Sequence, residues 1–83
     1  MKEYIIRLDN SEKLKSFSKF ISQFSFQINA LEWRKAVNAK SISKLLLLNL
    51  DNEIKIHAYI NSLKEYQKFE KGIGEYTWVR KLN

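Results

Sequence analysis

Few side chains in this sequence are equipped for chemistry, and they lie far apart. His57 is the one histidine, and there is no cysteine. A lone imidazole does not make a histidine-based zinc site, and without thiols there is neither a disulfide nor a thiolate metal centre. No metal and no cofactor are expected. No serine, carboxylate or cysteine stands at a spacing that makes His57 a catalytic base. It reads as a solvent-facing strand residue, and no enzymatic activity is expected. Asp9, Asp51 and Glu53 lie in or near turns without the spacing of a calcium loop, and there is no glycine-rich phosphate loop. What remains is cationic and hydroxylic. Lys13 and Lys15 stand near the start of a helix, where free backbone N–H groups favour an anion. Ser41 precedes a second helix, either as a plain cap or as a site that a phosphate would suit.

The composition narrows the setting. The net charge is +6 over 83 residues. It describes either a lysine-rich soluble surface or contact with something acidic, be it a protein face, a nucleic acid or a membrane surface. The lysines are scattered, which argues against a dedicated phosphate-backbone track. The length suits one domain with a small core. The absence of proline and the presence of only two glycines argue against a linker or a disordered chain. The longest apolar run, Leu45 to Leu48, is far too short to span a bilayer. The start, Met1 to Arg7, lacks the apolar centre of a signal peptide, so a cytoplasmic location is expected.

The elements that must position these residues follow from periodicity. Tyr4, Ile6 and Leu8 alternate with Ile5 and Arg7, so residues 3–8 read as a strand. Asn10 or Ser11 then caps a helix over about residues 12–24, with Leu14, Phe17, Ile21 and Phe24 on one stripe. Phe26, Ile28 and Ala30 mark a second strand and residues 35–38 a third. Leu31 to Arg34 turn the chain between them, although this is a poor turn sequence. Ser41 to about Leu48 reads as a short helix. Ile54, Ile56, Ala58 and Ile60 alternate with Lys55, His57 and Tyr59 in a fourth strand. Ser62 and Glu65 form a capping box for a last helix, with Leu63, Tyr66 and Phe69 inward and Gly72 as its stop. The expected fold class is α+β: an open-faced sandwich, a four-stranded antiparallel sheet with three helices packed on one face.

This element order, together with Val37-Asn38-Ala39-Lys40-Ser41-Ile42 and the apolar run behind it, resembles HPr, the small phosphocarrier of the bacterial sugar phosphotransferase system. The likeness covers roughly residues 3–74. It implies an HPr-like domain at 1–74 and a tail extension at 75–83. The family carries a Gly-hydrophobic-His-Ala-Arg-Pro segment at the start of its first helix. The corresponding stretch is Ser11-Glu12-Lys13-Leu14-Lys15-Ser16, which sets Lys13 at the place of the phosphorylated histidine. A lysine ammonium, with an ordinary pKa of about 10.4, is no nucleophile at neutral pH. The resemblance therefore implies a bacterial, non-catalytic protein-interaction or regulatory module related to the phosphotransferase system, with that system's components as the implied partners.

By position the family's docking patch falls on Ile42, Ser43 and Leu46, beside Lys13 and Lys15. The bland alternative makes Ile42, Leu45 and Leu48 plain core. Ser41 aligns with a serine that a regulatory kinase phosphorylates in many relatives; the simpler reading is an N-cap. Trp33 and Arg34 occupy a turn where the family usually has Asn-Gly. Trp33 is expected to fold over the open sheet face rather than to project as a binding aromatic. Two further functions stay open. The sheet face, with Arg7, Lys35, Lys55, His57 and Tyr59, would suit a nucleic-acid strand, and Trp33 with Trp78 would suit a dimer contact.

Overall fold

The computed structural model describes residues 1–77. Trp78 and the rest of the expected tail lie outside the described residues. The elements are β1 (Lys2–Ile6), α1 (Ser11–Ile21), β2 (Ile28–Glu32), β3 (Lys35–Asn38), α2 (Ile42–Leu45), β4 (Ile54–Ala58) and α3 (Leu63–Ile73). They form one sheet in the order β1-β4-β2-β3, every pair antiparallel. This is the expected open-faced sandwich. Among the described residues no helix is long and apolar enough to cross a membrane.

The strand pleat divides the molecule. Ile54, Ile56 and Ala58 of β4 are fully buried, as are Ile28 and Ala30 of β2 and Ile6 of β1. All face the helices. Leu14, Phe17 and Ile21 meet them from α1, and Phe69 and Ile73 from α3. An aromatic seam fills the middle, with Phe69 against Phe24 and Phe26 at 5.1 and 5.4 Å and stacked on Phe20 at 5.5 Å. Such pairs add about 0.5–1.5 kcal/mol each beyond burial.

Several expectations shift. The apolar stripe of the first helix is buried as expected, but α1 ends at Ile21 and Phe24 follows in a turn. The short helix is regular only over Ile42–Leu45, and tighter turns carry the chain to Leu48. Leu63 is not inward but 73% exposed. It begins α3 beyond the end of the β1–β4 ladder at Lys2 and Ala58. The capping box is half made: Ser62 Oγ accepts from Glu65 N, but the Glu65 carboxylate accepts from Ser25 N and Oγ instead. Tyr76 is buried in the core, its hydroxyl bonded to Ser16 Oγ and its ring edge-on to Phe17. Thr77 bridges to Ile6, so the chain just past residue 74 is tied to the domain.

Gly72 does not stop α3, which runs on to Ile73 with Gly74 as its cap. Gly72 has another use, because a Cβ there would overlap the Phe20 ring. The missing side chain lets α1 and α3 approach. Gly72→Ala is therefore expected to destabilise the fold by about 1–3 kcal/mol through overpacking. Gly74→Ala meets nothing closer than 3.8 Å at a helical φ of −57°, and should raise stability by a few tenths to about 1 kcal/mol. Urea denaturation of the two variants checks the opposite signs.

Candidate functional site

The opening of α1 is built by Asn10. Its backbone is extended and its Oδ1 accepts from Lys13 N at 2.8 Å, while Leu14 N bonds to its carbonyl. The Lys13 ammonium lies 3.3 Å from Asp9 Oδ1. This hydrogen bond and charge hold the Asp9 carboxyl below its ordinary pKa. Of the groups that would attract an anion here, one N–H and one ammonium already have acceptors within the chain. Lys13 lines a cleft with Glu12, Ser16, Glu75 and Tyr76. Lys15 lines the neighbouring groove between α1 and α3, with Lys19, Phe20, Gly72 and Glu75. Neither hollow includes a residue of α2.

The second half of the expected surface is α2. Ser41 is its N-cap in backbone terms, the carbonyl accepting from Lys44 N and Leu45 N at 3.1 and 3.0 Å. Its side chain makes no capping bond and pairs with Ser43 Oγ at 3.1 Å. Ser41 thus lacks the side-chain bond on which the usual worth of a serine cap rests. Leu45 and Leu48, three apart, bury one stripe. Ile42, by contrast, is 41% exposed, Leu46 61% and Leu47 59%, so Ile42 is not core. Ser43 is also exposed, as are Lys44 and Lys35, whose Nζ reaches the Leu47 carbonyl at 3.3 Å. The result is an apolar ridge with cationic edges.

The loop behind α2 is held by a residue assigned from sequence to the hairpin turn. Glu32 ends β2, faces inward and is buried. Its carboxylate accepts from Asn52 Nδ2 at 3.1 Å and Asn49 N at 3.2 Å, bonds that lower its pKa. Arg34 and Lys35 follow it closely in sequence, so nothing local marks it for burial; its place on the inner face of β2 decides that.

The outer face of the sheet differs from expectation in three ways. His57 has a carboxylate partner after all, since the β1–β4 register sets Glu3 opposite it and Nε2 lies 2.8 Å from Glu3 Oε1. Lys35 is not on this face: it pairs with inward Glu32 and reaches the Leu47 carbonyl just past α2. Trp33 does not fold over the sheet but is 86% exposed, with the Arg34 guanidinium 5.9 Å from its ring. The turn itself projects it. Trp33 sits at φ 58°, the first of two residues between paired Glu32 and Lys35, a position that suits glycine. A side chain there costs roughly 1–2 kcal/mol.

Beside Trp33 runs a shallow groove of about 290 Å³, lined by Glu3, Ile5, Leu31, Glu53, Lys55 and His57. None of these residues carries a hydroxyl or thiol. Its charge is mixed, unlike the basic track a nucleic acid needs. Among the described residues no three side chains of His, Asp or Glu converge to hold a metal ion.

Three carboxylates, Asp9, Glu32 and Glu65, are held below their ordinary pKa, chiefly by hydrogen bonds from Lys13, Asn52 and Ser25. Folded, they bind fewer protons than unfolded. The stability they contribute is present above the unfolded carboxylate range, about 4, and is lost as pH falls through the lower folded values. The urea midpoint is expected to drop on acidification below that range, and less so for Glu32→Gln. A midpoint unchanged down to strong acid contradicts this.

No family model matches the chain, and no curated protein matches it. Solved structures do. The chain is similar to the crystal structure of HPr-C-His from Thermoanaerobacter tengcongensis, with 30% identity and a TM-score of 0.71 over 90% of this chain and 92% of that one. It also shares its fold with a Mycoplasma histidine-containing phosphocarrier protein, at 22% identity and a TM-score of 0.64 over 89% and 91% of the two chains.

Proposed function

The chain belongs to the HPr family, and we propose that within it this protein docks other proteins rather than relaying phosphate. One observation carries the reading: the place of the only imidazole. His57 lies in β4 on the outer face of the sheet, bound by Glu3, while the opening turn of α1 carries Glu12 and Lys13. Relay requires a neutral nitrogen whose lone pair attacks phosphorus and then releases it. In this reading Lys13 replaces that nitrogen with an ammonium already turned to Asp9.

In this proposal the docking surface is the exposed ridge of Ile42 and Leu46 with Ser43, and it takes in Leu47, which is exposed beside them. Lys13 and Lys15 supply positive charge from α1. An apolar centre with cationic edges fits a partner whose surface is apolar with acidic edges. The partners proposed are components of the phosphotransferase system, in a bacterial cytoplasm. A phosphate on Ser41 would add negative charge at the edge of this ridge and weaken such a contact.

Incubation with Enzyme I and phosphoenolpyruvate tests the first claim. No acid-labile phosphate is expected on the chain, and its appearance would refute the docking-only reading. Calorimetric titration with the same Enzyme I tests the surface. Leu46→Lys and Lys15→Glu are each expected to weaken binding about tenfold or more, a loss of about 1.4 kcal/mol. Binding indifferent to both removes this surface.

A further inference from the structure

The side of the sheet that none of the described helices covers carries features that docking through α2 leaves unused. Trp33 is held in the left-handed region at φ 58° and is 86% exposed. The backbone is strained there, and in the isolated chain the indole recovers little by burial. A conformational cost of this kind points to a contact elsewhere, and tryptophan is the residue type that most often anchors one. Ile5 and Leu31 form an apolar floor next to it. Ile5 is 36% exposed and, further along the face, Tyr59 is 43% exposed.

Charge says what covers this face. Exposed lysines crowd the helices: Lys15 and Lys19 on α1, Lys44 on α2, and Lys64, Lys68 and Lys71 on α3. The groove holds Glu3 and Glu53 beside Lys55 and His57. A strongly acidic or strongly basic partner would find part of this set opposed. Two molecules of net charge +6 repel, and sheet-to-sheet approach keeps their lysine-bearing helices furthest apart. The patch also holds both halves of a reciprocal contact, a projecting indole and an apolar floor, a lysine and carboxylates. An isologous two-fold contact needs that self-complementarity.

We propose that the outer sheet face is the interface of a homodimer, in which Trp33 of each copy packs on the Ile5–Leu31 floor of the other and Lys55 faces the carboxylates opposite. This surface is separate from the ridge of α2 and does not depend on the function proposed for it.

Sedimentation of the full chain from low to high micromolar concentration tests the assignment. A reversible dimer is expected. Trp33→Gly relieves the turn, keeps the fold and is expected to weaken the dimer about thirtyfold. Ile5→Lys, on an exposed strand position, should do the same, while Leu46→Lys on α2 leaves the dimer unchanged. A chain that stays monomeric, or a dimer lost with Leu46→Lys but kept with Trp33→Gly, overturns the proposal. Enzyme I titration of Trp33→Gly reads the other surface separately, since that binding should survive.

Discussion

The hydrogen-bonded register of β4 between β1 and β2 is the constraint on which the rest of the structure depends. It turns Ile54, Ile56 and Ala58 to the helices and leaves Lys55 and His57 outside. A slip of one residue would exchange the two sets and bury a cation and an imidazole. The same register brings Glu3 onto His57. It also keeps the only imidazole on the side of the sheet away from α1. The reading proposed for the protein, docking without relay, rests on that placement.

On the other side, the aromatic seam sets how closely the helices approach. Phe20 stacks on Phe69 across the position where Gly72 has no side chain. Tyr76 closes the seam, contacting Phe17 and Phe20 and reaching Ser16. α2 is different: too short to bury a full turn of leucines, it sinks only Leu45 and Leu48. Leu46 and Leu47 stay in water because none of the described elements packs over them. The proposed docking surface is built on this exposed apolar area. Glu32 fastens the loop that follows and so helps to hold the ridge in place.

The two faces thus differ in character. The helical face is cationic with an apolar ridge, and the sheet face is mixed in charge with a strained tryptophan at its rim. The described helices cover the sheet on one side only, which leaves room for the two surfaces proposed.

Read alone, the residues disclosed the element order, the inward stripes of α1 and β4 and a first cap at Asn10 or Ser11, all of which are local or periodic properties. They missed what depends on pairing across the chain. Glu3 meets His57 only through a ladder spanning most of the sequence, Lys35 turns inward because it pairs with Glu32, and Glu65 leaves its capping box for Ser25. The role of Gly72 rests on a ring fifty-two residues earlier in the chain, since Phe20 and Gly72 meet only in three dimensions. Sequence by itself determined which side chains exist to do chemistry and which stripes must be buried, because periodicity and residue type are local. Tertiary structure alone decided which charges meet, which leucines stay wet and where Trp33 points, because those follow from register, layer coverage and one backbone angle.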